Sequence, residues 1–212
     1  MKININKKIS DFFQINIKDL EIKENEIIGV MGANGSGKTT FLKLLSNSFK
    51  VDKNVKVDKI YSYSILQQVS NFGLIKLVDL VILFNNLNKK KIDINDFFKN
   101  YDLLDFKETY FAKLSPGQQQ RFKFMIIQLF KTDILILDEA FNFLDSAWKN
   151  KLLNDIKKIK DNYKNIFIID HDLEKIKQIC NRIICFKNGE IVIDSKDINL
   201  IKQEDIDNIL IK

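Results

Sequence analysis

The run Gly32-Ala33-Asn34-Gly35-Ser36-Gly37-Lys38-Thr39 sets three glycines ahead of a lysine and a hydroxyl residue. Glycines let the main chain wrap close to phosphate oxygens, and successive N–H groups then form an anion nest. In a G-x-x-x-x-G-K-[ST] run the lysine reaches the β- and γ-phosphates, and the next hydroxyl ligates Mg²⁺. Lys38 and Thr39 take those roles here, with Gly32, Asn34, Gly35, Ser36, Gly37 and Thr40 lining the phosphates. The chemistry is the binding of a nucleoside triphosphate.

Two further runs extend it. Ile134-Leu135-Ile136-Leu137-Asp138-Glu139 is an apolar run ending in paired acids. A buried strand of this kind brings Asp138 to Mg²⁺ and Glu139 beside the γ-phosphate, where it polarises a water. In Leu114-Ser115-Pro116-Gly117-Gln118, Ser115 suits an N-cap, Pro116 the first helical position and Gln118 the third, which together make a capping box. A helix start with an exposed Ser and a Gly is a second anion site. Two phosphate-binding helix ends in one chain imply that one of them serves a neighbour's nucleotide.

The elements that must position these residues are short. Ile27–Met31, Ile134–Leu137 and Ile166–Ile169 read as buried parallel strands, each followed by helical spacing such as Trp148, Leu152, Ile156 and Ile159. Strand-then-helix repetition predicts an α/β domain. Two segments depart from that rhythm. Lys2 to Ile22 reads as an antiparallel flank, and Ile183–Phe186 with Ile191–Ile193 brackets Asn188-Gly189, a type I′ hairpin signal. From Val69 to Phe130 strand signals vanish, and Leu74–Leu87, Phe97–Leu104 and Phe122–Phe130 read as helices of an insertion. Asp197–Lys212 reads as a short closing helix.

Composition narrows the classes. In 212 residues, 45% are hydrophobic and 29% charged, which supports a buried core and argues against disorder. Two cysteines, Cys180 and Cys185, make no disulfide framework, and one histidine leaves no obvious metal cage. The net charge of +6 permits an anionic partner, yet the basic residues are almost all lysine in an Ile- and Asn-rich chain, so it reads as a solvated surface. No apolar stretch approaches a membrane span, and Met1-Lys2-Ile3-Asn4 lacks the apolar core of a signal peptide.

Together these motifs resemble those of the nucleotide-binding subunits of ATP-binding cassette (ABC) transporters. Gly32–Thr40 resembles the family's Walker A loop, Ile134–Glu139 its Walker B strand and Leu114–Gln118 its signature, with Pro116 replacing the first Gly. Phe141-Asn142-Phe143-Leu144-Asp145 is similar to the D-loop, and His171 stands where the family has its switch histidine. Tyr63–Gln68 is similar to the Q-loop strand, with Gln68 as its glutamine and Gln67 as the alternative. Phe12 or Phe13 is the candidate aromatic for adenine, and Asn25 replaces the Gly usual before Glu26.

The resemblance implies an α/β P-loop NTPase of the ABC type: a mainly parallel core sheet, an N-terminal antiparallel β flank and an inserted helical subdomain. It makes residues 1–212 one ABC ATPase domain, with 1–68 and 131–212 as a RecA-like core and 69–130 as the helical signature subdomain. It implies ATP and Mg²⁺ as cofactors, with Thr39, Gln68 and Asp138 at the metal and Glu139, His171 and Gln68 in catalysis. Ser115, Gly117, Gln118 and Asp145 would act on ATP across a head-to-tail pair, a homo- or heterodimer. The implied function is ATP hydrolysis energising a bacterial transporter, with export preferred to import. The chain would lie in the cytoplasm, peripheral on the inner face of the membrane, against a separate membrane-spanning subunit. No nucleic-acid partner is expected; the alternative is a soluble ABC ATPase acting on ribosomes or DNA.

Overall fold

The computed structural model describes residues 1–45, 55–57, 63–65, 74–89, 91–130 and 132–210. Runs of Ile, Leu and Val without alternation need cover on both faces, and parallel sheets supply it. Accordingly β3 (Glu26–Gly32), β6 (Ile134–Asp138) and β7 (Asn165–Ile169) are buried along nearly their whole length. They pair in parallel within a six-stranded sheet ordered β5-β6-β7-β3-β8-β9, where β5 is Tyr63–Ile65, β8 is Arg182–Lys187 and β9 is Glu190–Ser195. A parallel sheet delivers the carboxyl ends of its strands to one edge. The loop after β3, the acids ending β6 and the histidine after β7 therefore emerge side by side.

The hairpin at Asn188-Gly189 forms as the dipeptide suggests, with φ of 51° and 83°, and joins β8 to β9 in antiparallel pairing. One expectation needs correction. Ile183–Phe186 is not outside the strand–helix rhythm, because β8 also pairs in parallel with β3, from Ile28 opposite Arg182 to Gly32 opposite Phe186. Its apolar run is continuous and buried, so the strand belongs inside the sheet.

β1 (Lys2–Ser10) and β2 (Phe13–Glu21) form the expected antiparallel flank, and β4 (Val55–Val57), unanticipated from the sequence, pairs with β1 to complete a three-stranded sheet. Asn25 turns the chain before β3 at φ 65°, a left-handed conformation that Asn tolerates better than most residues. Strand alternation then sorts the core into two layers. Ile28, Val30, Ile136, Phe167, Ile169, Ile184 and Phe186 pack with this flank and with Phe41 of α1 (Lys38–Leu45). Met31, Leu135, Leu137, Ile166, Ile168, Ile183 and Cys185 face the opposite layer.

That opposite layer holds α5 (Ser146–Ile159), α6 (Leu173–Ile179) and α7 (Gln203–Leu210). It is continuous with the helices inserted between β5 and β6, which are α2 (Leu77–Leu87), α3 (Ile94–Lys99) and α4 (Pro116–Ile127). The helix expected over Phe97–Leu104 starts earlier, where the Asp93 side chain accepts from the Asp96 N–H, and has ended by Asp102 at φ 49°. No described helix is long and apolar enough to cross a membrane.

Candidate active site

β3 delivers its last residue, Gly32, into a loop pressed between neighbours. A Cβ on Gly32 (φ 139°) would lie 2.4 Å from the Phe186 carbonyl oxygen, and one on Gly37 (φ 110°) 2.6 Å from Ile15 Cδ1. Only glycine tolerates both the torsion and the approach. The hairpin tip buttresses the loop, since the Gly189 N–H donates to the Ser36 carbonyl at 2.9 Å and the Asn16 N–H donates to the Gly189 carbonyl at 2.9 Å.

Lys38, at the start of α1, folds back over this loop. Its Nζ donates to the Gly32 and Ala33 carbonyls at 2.7 and 2.8 Å. Burial lowers its pKa, against the opposing pull of the Asp138 and Glu139 charges. The Ser36 hydroxyl is buried without a hydrogen-bond partner. An orphaned polar atom in a glycine-rich loop is what a bound phosphate oxygen would satisfy.

The next strand end supplies oxygen donors for a cation. Thr39 Oγ1 donates to Asp138 Oδ2 at 3.3 Å. Burial, and after it the Glu139 charge, raises the Asp138 carboxyl, with Thr39 and Lys38 pulling the other way. One carboxylate and one hydroxyl beside a phosphate nest fit Mg²⁺, which keeps few protein ligands and completes its shell with phosphates and water. Among the described residues no cluster of three His, Cys, Asp or Glu forms a cage made by protein alone.

Glu139 sits at φ 51°, which is uncommon for a residue with a side chain. Its N–H donates to the Ile169 carbonyl at 3.1 Å, and its own carbonyl accepts from the Asn142 N–H at 3.2 Å and from Gln120 Nε2 at 3.1 Å. The half-exposed carboxylate accepts from Asn142 Nδ2 at 2.9 Å and stands 4.0 Å from His171 Nε2. Asn34, Gly35, Gly37, Lys38, Thr39, Thr40, Asp138, Glu139, Ile169 and His171 together line one open cavity of about 150 Å³.

Other predicted site residues stand apart from that cavity. Ser115 and Gln118 form the capping box of α4, the serine oxygen accepting from the Gln118 N–H at 3.3 Å and the Gln118 side chain from the Ser115 N–H at 2.9 Å. Gly117 abuts the Phe143 carbonyl, which would be 2.9 Å from a Cβ placed there. Asp145 caps α5, accepting from the Trp148 N–H at 2.8 Å. Gln68 and its alternative Gln67 lie outside the described residues. Phe13 borders Gly37, whereas Phe12 is 99% exposed at the β1–β2 turn. Both cysteines are buried free thiols, and burial pushes the Cys185 thiol up to about 12, so neither is a ready nucleophile.

The sequence reading missed Gln120, which is one of three consecutive glutamines, and the docking of Gly189 on the loop. The Asn-Gly pair announced the turn and said nothing of what it touches. Asn142 had been noticed only through family likeness, and its grip on Glu139 was not foreseen.

This fold and site define a P-loop nucleoside triphosphatase. The description "ABC transporter" matches residues 15–142, more than half of the chain, and the chain belongs to that family. An uncharacterized ABC transporter ATP-binding protein of Methanocaldococcus jannaschii is 30% identical over 199 residues, 89% of this chain and 74% of that relative. Among solved structures, the RNase-L Inhibitor matches 92% of this chain with a TM-score of 0.76 at 21% identity, and this chain spans 39% of its length. A dimeric ATP-binding cassette in a post-hydrolysis state with ADP and Pi matches with a TM-score of 0.74 at 23% identity, covering 92% of this chain and 97% of that one. Both structural likenesses speak to the fold. The family match carries the activity: the chain is an ATP-binding ATPase.

Proposed function

We propose that this chain is the ATP-hydrolysing subunit of a transporter whose membrane-spanning part is a separate chain, and that it lies peripherally on the cytoplasmic face of the membrane. The proposed direction is export. The supporting observation is the convergence of Lys38, Thr39, Asp138, Glu139 and His171, delivered by three adjacent parallel strands, on one cavity.

In this reading the loop N–H groups, Lys38 and the Ser36 hydroxyl hold phosphate oxygens. Thr39, Asp138 and Gln68 hold Mg²⁺, which supplies charge neutralisation on the phosphates. Glu139 orients the attacking water and takes its proton, and His171 bounds the γ-phosphate on the far side. Phe12, exposed at the β1–β2 turn next to Phe13, is the aromatic free to lie on the adenine. Ser115, Gly117, Gln118 and Asp145 stand outside the cavity because they act on the nucleotide of a second ATPase subunit in a head-to-tail pair. Residues 69–130 form the helical signature subdomain, set into a core of 1–68 and 131–212.

The test is to tag the chain in its host, solubilise membranes gently, identify what co-purifies, and assay ATP turnover in the same preparation. A polytopic membrane protein together with ATP turnover is expected, and the co-purifying ATPase subunits distinguish a homodimer from a heterodimer. ATP-dependent uptake by inverted vesicles containing the assembly would establish export. Ribosomal or DNA-bound partners, with the chain absent from membranes, would overturn the transport reading and leave the ATPase.

A further inference from the structure

We propose that Gln120 is a positioning residue for Glu139, through which α4 sets the geometry of its own chain's hydrolytic centre while its N-terminal end meets another subunit's nucleotide. The inference rests on the roles given above to Glu139 and to the signature residues. Three consecutive glutamines follow Gly117, and the structure gives each a different task. Gln118 closes the capping box, and Gln119 Nε2 donates to the Leu114 carbonyl at 3.1 Å, so both tie the helix start to itself. Gln120 leaves the helix. Its side chain, on a residue only 7% exposed, donates to the Glu139 carbonyl at 3.1 Å.

That carbonyl belongs to a residue held at φ 51°, a conformation that persists only where its surroundings over-determine it. Removing the Gln120 donor leaves the carbonyl with the Asn142 N–H alone. The main chain at Glu139 then regains freedom, and the carboxylate moves with it. Misplacing a reacting group by about 1 Å can cost about 10²-fold in rate.

The contact is one of a set. Gly117, Gln120 and Arg121 lie at i, i+3 and i+4 and so share one face of α4. Gly117 abuts the Phe143 carbonyl, Gln120 holds the Glu139 carbonyl, and the Arg121 guanidinium lies 4.7 Å from the centre of the Trp148 ring. One helix face thus bears on three points of the segment running from Glu139 to Trp148. Ser115 caps the same helix, so a nucleotide that engages Ser115 and Gly117 from outside loads the face that grips Glu139.

The experiment uses the full chain with Gln120→Met, which keeps the length and removes the donor, and Gln120→Glu, which also sets a charge against the carbonyl. In nucleotide-free protein, hydrogen exchange over residues 139–142 should speed up while β6 stays protected. ATP affinity should stay within about twofold of wild type, while kcat falls by about 10-fold or more. On a Glu139→Gln background, adding Gln120→Met should change the residual rate by less than about twofold, because the two residues act as one unit. Equal fold-losses on both backgrounds, or unchanged exchange at 139–142 with an unchanged kcat, would overturn the inference. If Glu139→Gln alone turned over like wild type, the assignment of Glu139 would be what had failed.

Discussion

β3 begins in one cluster of ionisable groups and runs out into another. At its first residue, Glu26, Arg182 Nη1 donates to Glu26 Oε2 and to the Glu21 carbonyl, both at 2.8 Å, while Nε and Nη2 fork onto Asp194 at 2.7 Å. Lys196 pairs with the other oxygen of Glu26. Burial works against the charge on Glu26, but Lys196 and Arg182 outweigh it and its pKa falls. Beyond the last residue of β3 the balance reverses: burial and Glu139 raise Asp138, Ser36 keeps an unpaired hydroxyl, and Glu139 sits at positive φ. The two ends share strands β3 and β8, so strand chemistry does not separate them. What separates them is completion. At the Glu26 end Glu26, Arg182, Asp194 and Lys196 pair with one another and tie β2, β3, β8 and β9 together; at the loop end the Ser36 hydroxyl has no partner and the Asp138 carboxyl is raised.

If that division holds, damage at one end should cost turnover and damage at the other should cost stability. Glu139→Gln should lower kcat by about 10²-fold or more, the lower bound of a general base's contribution, with the melting temperature unchanged. Steady-state turnover set beside a thermal melt checks both halves, and hydrolysis near the wild-type rate would remove Glu139 from its role. Arg182→Leu should do the opposite. It leaves buried Glu26 with Lys196 as its remaining partner and strips Asp194 of its fork, and breaking a buried pair costs about 3–5 kcal/mol, read by urea unfolding. ATP affinity of the folded fraction should not move.

Gly189 links the two ends, because the hairpin whose first strand starts at Arg182 turns against the phosphate loop. Gly189→Ala would put a Cβ 1.9 Å from the Gln14 carbonyl oxygen at φ 83°, costing about 1–3 kcal/mol. It should also weaken ATP binding, measured by titration, since the Gly189 N–H holds the Ser36 carbonyl. Asn188→Gly, where φ is already positive, should leave both unchanged.

The smallest effect is that of acid. A carboxyl whose folded pKa is depressed leaves the unfolded chain binding more protons, so stability rises with pH. The contribution of Glu26 is full above its ordinary, unfolded pKa and is lost as pH falls through the lower folded value. Urea midpoints should drop below the usual glutamate range, and Glu26→Gln should flatten that slope.

The legible parts were those whose chemistry is local. The loop from Gly32 to Thr39, the acids ending β6, the capping box at Ser115 and the turn at Asn188-Gly189 each depend on residues a few positions apart, and the structure shows each local feature. Phe97–Leu104 was misread because Phe97, Tyr101 and Leu104 keep helical spacing, while the Asp93 cap and the reversal at Asp102 set the real boundaries. β8 was assigned to the hairpin because its turn is local and its pairing with β3 is not.

By itself the sequence determined that a phosphate loop, a strand ending in acids and a capped signature helix exist, because torsion preference, burial period and capping act between near neighbours. Only the tertiary structure decided which of three glutamines reaches Glu139, what the hairpin tip supports, and which charges find partners. Those outcomes depend on distances between strands and helices far apart in the chain, and residue spacing carries no record of them.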